Sequence, residues 1–227
     1  MENKHIKLLT VHYDTEIKQH EVALFRGAVI ASMKDHANTL FHNHLDNEKY
    51  RYSYPLIQYK RIDGKAAIVC LGEGTDVIAQ FIAEGANKFR LGEREVEMSV
   101  DKIQPRQILV QGQDESIHYH LQRWLPLNSE NYNTYHHLDS LTEKLALLER
   151  ILCGNILSFA KGLGITIENE IEIKITNITE PYLVKHKANS LMAFDLDFKA
   201  NTTLPDFIGL GKNVSIGFGV ISKKKSG

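Results

Sequence analysis

The sequence predicts an α+β fold of two successive units, and three observations carry that prediction. Residues 6–111 give the order strand, helix, strand, strand, helix, strand, which is the split βαβ or ferredoxin-like arrangement. The second half opens on one strong helix, continues in antiparallel strand signals, and reads as a degenerate copy of the first. A chain of 227 residues has room for two units of about 100 each. The expected boundaries are 1–112 for the first unit, 113–137 for a polar linker or loop, and 138–227 for the second.

The elements follow from period and punctuation. Ile6–Tyr13 is short, apolar and β-branched, a first strand. From Gln19 the period changes: Val22, Phe25, Val29, Ile30 and Met33 fall on one face of a helix that fades near Asp35–Asn38. Arg51–Tyr59 and Lys65–Leu71 read as strands joined by the Asp63-Gly64 hairpin signal. Gly72 and Gly74 flank Glu73, and Thr75 then caps a helix with the apolar face Val77, Ile78, Phe81 and Ile82, closed by Gly85. Glu95–Ile103 and Gln107–Gln111 follow as two strands parted by Pro105.

In the second half, Ser140-Leu141-Thr142-Glu143 is a capping box. It opens a helix in which Leu141, Leu145, Leu148, Leu152, Ile156 and Phe159 step by three or four residues, ended by Gly162 and Gly164. Strands are expected over Glu170–Thr176, Tyr182–Lys187 and Leu191–Ala200. The last alternates regularly, Met192, Phe194, Leu196 and Phe198 against Ala193, Asp195, Asp197 and Lys199. A glycine-rich loop and a final strand, Ile216–Ile221, complete the chain before Lys223-Lys224-Lys225.

Composition excludes some classes of function. Apolar residues make up 43% and charged residues 24%, ordinary for a globular chain. With 27 basic and 28 acidic residues the formal charge is −1, so the chain is no bulk polycation, although a local basic groove is compatible with that balance. Cys70 and Cys153 lie in apolar segments and are expected as buried free thiols of a reducing compartment. Met1–His5 holds no apolar run of the secretion-signal kind, and no run approaches the roughly 20 residues of a membrane span. The expected compartment is the cytoplasm, with no membrane partner.

Three stretches could carry chemistry. The first is Lys34–His44, where His42 and His44 stand two apart and share one side of an extended segment. Internal transesterification of RNA needs a base for the 2′-hydroxyl, an acid for the leaving 5′-oxygen, and a cation near the pentacovalent phosphate. His42, His44 and Lys34 could fill these roles without a metal. A solvated polar loop and a zinc site that includes His36 stay open as rival readings of the same residues.

The second stretch is Tyr50–Arg61, where Tyr50, Tyr52, Tyr54 and Tyr59 interleave with Arg51, Lys60 and Arg61, a pattern suited to stacking bases and meeting phosphates. Structural strand tyrosines explain the same residues. The third is Gly209–Gly219, with Gly209, Gly211, Gly217, Gly219 and Lys212. Glycine lets backbone approach a ligand, and exposed N–H groups can cradle phosphate. Its spacing is not that of a Walker loop, and a hairpin turn is the competing reading. His118-Tyr119-His120 and His136-His137 receive no role beyond surface contacts.

Together the His pair after the first helix, Tyr54–Lys60 with Gly64-Lys65, the Gly72-Glu73-Gly74 turn and the Gly209–Gly219 loop resemble the CRISPR-associated endoribonucleases of the RAMP superfamily, which cut precursor CRISPR RNA within its repeats. The resemblance implies two tandem ferredoxin-like domains, with the glycine-rich loop of the second on RNA. It also implies metal-independent cleavage with no cofactor, leaving a 5′-hydroxyl and a 2′,3′-cyclic phosphate. His42 and His44, with Lys34 upstream and Tyr50 or Tyr52 downstream, correspond to a catalytic set of one subtype. The RNA contacts expected are Arg51, Lys60, Arg61, Gly209, Gly211, Lys212, Gly217 and Gly219. CRISPR repeat RNA is the expected partner; other CRISPR effector subunits and a homodimer are further candidates. The alternatives are a non-catalytic RNA-binding subunit of the superfamily and, more distantly, a small-molecule-binding α+β protein.

Overall fold

The computed structural model describes residues 5–33, 54–186 and 188–224. They form two units, one reaching to Leu109 and taking in Ser215–Gly217, the other comprising Val110–Val214 and the chain from Phe218 onward.

The first unit is built on strand β1 (His5–Glu16), helix α1 (Val22–Ser32), strands β2 (Ile57–Ile62) and β3 (Lys65–Leu71), helix α2 (Gly74–Ala83) and strand β6 (Val100–Leu109). The sheet order is β2-β3-β1-β6 with antiparallel pairing throughout, the order of a split βαβ unit. The Asp63-Gly64 turn takes positive φ at both residues, 50° and 86°, as a two-residue hairpin matched to strand twist requires. One face of the sheet meets α1 and α2 in a core of Val11, Tyr13, Val22, Phe25, Ile68, Ile78 and Phe81. Tyr13 and Phe25 meet edge-on with ring centroids 5.5 Å apart. Truncating a core aromatic such as Phe25 typically costs about 3–5 kcal/mol.

Three details differ from the sequence reading, the first being that the strand expected over Arg51–Tyr59 is β2 at Ile57–Ile62, with residues 54–56 outside it. Residues 88–97 form a separate hairpin of β4 (Lys88–Leu91) and β5 (Arg94–Glu97), and α1 packs against β4. Pro105 does not divide two strands: β6 runs through it, with Pro105 opposite Leu9. An edge strand has a row of N–H groups outside the ladder, and there proline is tolerated. A proline therefore marked a sheet edge and not a break.

The second unit consists of β7 (Gly112–Trp124), α3 (Ser129–His137), α4 (Leu141–Gly162), β8 (Ile173–Ile178), β9 (Tyr182–His186), β10 (Asn189–Thr202) and β11 (Val220–Lys223). Its main sheet has the order β11-β7-β10-β8, and β9 pairs with the start of β10. This is the same strand order as in the first unit, but both helices, α3 and α4, lie between β7 and β8. Between β10 and β11, where the second helix of a split βαβ belongs, residues 203–219 form no helix. That missing helix is the degeneracy expected from the sequence.

The capping box is present as read: Ser140 Oγ accepts from Glu143 N at 3.1 Å, and the Glu143 carboxylate accepts from Ser140 N at 3.3 Å. Leu148, Leu152, Ile156 and Phe159 of α4 are buried, and Trp124 Nε1 donates to Asn155 Oδ1 at 2.9 Å. The expected linker over 113–137 is corrected, since it holds β7 and α3. Strand β7 buries Tyr119 and Leu121, but Gln113–Ser116 dilute its period-2 signal. Helix α3 buries no residue and rests on its cap, Asn128 Oδ1 accepting from Asn131 N at 2.7 Å. Without an apolar face it offers no periodicity to read. The last strand begins at Val220 and not at Ile216. Of the two free cysteines, Cys70 is buried as expected, whereas Cys153 is partly exposed.

Candidate nucleic-acid interface

Segment 209–219 stands in the second unit where a helix is missing, except for Ser215–Gly217, which belong to the first. Within the second unit Leu210 N donates to Gly219 O at 2.8 Å, and Gly219 N donates to Arg123 O at 3.0 Å. Gly209, Leu210, Gly217, Phe218 and Gly219 are buried. The glycines serve close packing. At Gly219, φ is +60° and a Cβ would collide with the Leu210 carbonyl oxygen. At Gly211, φ is +90° and a Cβ would lie 2.8 Å from Trp124 Nε1. An open row of N–H donors on Gly209, Gly217 and Gly219, as a phosphate platform needs, is not what this packing provides. Lys212 is exposed at the turn, donates to Leu127 O at 2.7 Å, and is pulled below its ordinary pKa by partial burial.

Ser215–Gly217 extend the edge of the first sheet. Tyr59 N donates to Ser215 O at 2.9 Å, and Tyr59 and Ile216 make a short parallel bridge. Gln19 Nε2 donates to Gly217 O at 3.4 Å.

Strand β2 corrects the reading of the aromatic and basic stretch. Tyr54 and Tyr59 are buried, so neither ring is presented for stacking. Lys60 is 0% exposed, and desolvation takes its ammonium down to about 7. Arg61 remains exposed; its Nε donates to Ile17 O at 2.7 Å, which fixes the guanidinium beside the hairpin. Of the two cations in β2, Lys60 and Arg61, Arg61 is the one that faces solvent. Lys34, His36, His42, His44, Tyr50, Arg51 and Tyr52 lie outside the described residues.

The outward face of the second sheet carries a polar row that includes His118 and His120, to which the sequence assigns no role beyond surface contacts. His120 Nδ1 and Lys224 Nζ reach the two oxygens of Asp197 at 2.8 and 2.9 Å. Burial opposes the Asp197 carboxylate, but hydrogen bonds from Lys224 and His120 outweigh it and hold the group below the usual carboxylate range. Lys199 stands opposite His118 on one side and Lys174 on the other. Among the described residues no group of three His, Cys, Asp or Glu is placed to hold a metal ion, and no helix is long and apolar enough to cross a membrane.

Comparison with known proteins decides the family. Residues 4–108 match the Cas6b N-terminal domain, and residues 111–224 match the Cas6b C-terminal domain. The chain belongs to the Cas6b family. A Cas6b crystal structure superposes with a TM-score of 0.88 at 27% identity, over 97% of this chain and 100% of the other. The structure of a CRISPR RNA processing endoribonuclease Cas6b gives 0.76 at 25% identity over the same shares. A type IV Cas6 CRISPR RNA endonuclease, at 12% identity and a TM-score of 0.59 over 98% of this chain and all of its own, shares the fold. Among curated proteins, the uncharacterized protein MJ0978 of Methanocaldococcus jannaschii is 40% identical over 98 residues, 43% of this chain. The match spans 65% of that relative. The Cas6b match covers both units, and with it the tandem ferredoxin-like architecture expected from the sequence.

Proposed function

We propose that this chain is an endoribonuclease that cuts precursor CRISPR RNA within its repeats, without a metal or cofactor. The observation that carries the reading is membership of the Cas6b family across both domains. The reaction is attack of the 2′-hydroxyl on its own 3′-phosphodiester, giving a 2′,3′-cyclic phosphate and a 5′-hydroxyl. One of His42 and His44 takes the proton of the attacking hydroxyl, the other supplies a proton to the departing 5′-oxygen, and Lys34 stands by the phosphate as charge gathers there. These are the residue types that such chemistry needs near neutral pH.

RNA is held on this reading by cations that remain at the surface, Arg61 and Lys212 among them, with Arg51 contributing from the segment before β2. The Gly209–Gly219 segment acts by close packing, and Lys60, buried in the first unit, makes no RNA contact. The compartment that fits is the cytoplasm, where CRISPR transcripts would be met.

The test is repeat RNA incubated with the protein in excess EDTA. Cleavage at one position is expected, with product ends that a cyclic-phosphate-opening phosphatase treatment identifies. A single 2′-deoxy substitution at that nucleotide should abolish cutting while binding persists. Binding without any cleavage would make the chain an RNA-holding subunit, and loss of cleavage on chelation would replace the mechanism with a metal-dependent one.

A further inference from the structure

Strand β7 ends in an irregularity that the fold alone does not require. Against β10 its register slips by one residue: Phe194 faces Trp124 and Leu196 faces Leu121, so β7 carries an extra residue there. Within this β-bulge Arg123 takes φ +53°, the left-handed region in which a Cβ is unfavourable and glycine would be easier. The conformation is pinned from both ends. Arg123 N donates to Asp195 Oδ1 at 2.6 Å, and Arg123 O accepts from Gly219 N at 3.0 Å. The Asp195 oxygen that holds Arg123 N also accepts from Tyr182 Oη at 2.8 Å.

The side chain so aimed is half-buried and not neutralised. Its guanidinium carbon lies 4.7 Å from the centroid of the Phe218 ring, with the His186 ring edge-on to Phe218 at 6.2 Å. Arg123 Nε is buried with no hydrogen-bond partner, and among the described residues no carboxylate lies within ion-pair distance of the guanidinium. Burial lowers its pKa, while Tyr182 and Asp195 act in the opposite direction. A strained backbone, a bulge and a buried aromatic thus hold a half-buried cation that no carboxylate among the described residues pairs. Strain of this kind is kept where the side chain's direction matters.

We infer that Arg123, seated on Phe218, is a phosphodiester-binding residue for RNA on the second unit. With one face on a ring and its Nε buried, the guanidinium still offers its two terminal Nη groups, which match two oxygens of a phosphate. The inference deepens the RNA-processing reading and rests on it. It also gives the glycine-rich segment an indirect part in RNA binding, since Phe218 and Gly219 hold the arginine.

The test measures binding of a fluorescein-labelled, fully 2′-O-methylated repeat RNA, which cannot be cut, as a function of salt. Arg123→Gly removes the side chain at a position where glycine relieves the backbone, so thermal stability should not fall. Its affinity should drop about tenfold or more, and the log–log salt slope should become shallower by about 0.7, one phosphate contact on a single strand. Arg123→Lys keeps the charge but not the stacked fork, so it should keep the slope and lose affinity by about threefold. Wild-type affinity and slope in Arg123→Gly would overturn the inference while leaving the RNA reading intact. A wild type that binds no RNA would remove both. Should Arg123→Gly fail to fold, Arg123→Lys decides: unchanged affinity overturns the inference.

Discussion

The two sheets treat their polar residues in opposite ways. In the first, β2 buries Gln58 and Lys60 at 0% exposure and β3 buries residues on both faces. In the second, β10 alternates: Phe194, Leu196, Phe198 and Ala200 are buried, while Asp195, Asp197 and Lys199 stay partly exposed. Lys60 is on an edge strand and Lys199 on an interior one, so strand position alone would have put their exposures the other way round. A lysine among aromatic strand residues is therefore poor evidence for a phosphate contact. What decides is whether the second face of the sheet is covered.

The largest stability effect that bears on this contrast is expected at Gly219, in the loop that replaces a helix in the second unit. Gly219→Val places branched carbons against the Leu210 carbonyl at a left-handed φ, and should cost about 3 kcal/mol or more in urea unfolding. A loss below about 1 kcal/mol would mean that the loop yields easily and that its glycines are free to serve another purpose.

The two lysines give a sharper, pH-dependent test. The folded pKa of Lys60 is about 7 against an ordinary 10.5. Between those values the unfolded state binds a proton that the folded state does not. Stability should thus rise as pH increases through this window, by a few kcal/mol in total, and level off on either side. In Lys60→Met that rise should be missing relative to wild type, whereas Lys199→Met should retain it. Equal pH profiles for wild type and Lys60→Met would show that Lys60 keeps its charge in the folded protein.

The smallest expected effect is a gain. Gly154 lies within α4, and a Cβ there meets nothing within 4 Å. Gly154→Ala should stabilise the second unit by about 0.5–1 kcal/mol, read as a rise in midpoint without a change in m-value. A loss would show that this face of α4 packs more closely than its open space indicates.

The fold was legible where period and caps were strong. The helix opened by Ser140 and Glu143, the Asp63-Gly64 hairpin and the alternation of β10 announced themselves because each local signal agreed with its tertiary surroundings. Strand β7 is hidden because its exposed run Asp114, Glu115 and Ser116 resembles a loop, and α3 because a helix without a buried face has no apolar stripe. The candidate site was less legible. Tyr59 and Lys60 carry the residue types of an RNA contact, yet burial is a tertiary property that composition does not contain. Arg123 could not be found from sequence, since neither a bulge nor a positive φ at arginine leaves a pattern. The His42-Asn43-His44 motif suggests chemistry by residue type alone, and it lies outside the described residues.

The central claim is that the chemistry resides in the first unit and the fold of the second helps to grip RNA. Single-turnover cleavage of labelled repeat RNA by His42→Ala/His44→Ala, measured beside its affinity for the uncleavable RNA, tests this most directly. The account predicts that the rate falls by about 10³-fold or more while affinity changes less than about threefold. Cleavage at the wild-type rate by the double variant would contradict it.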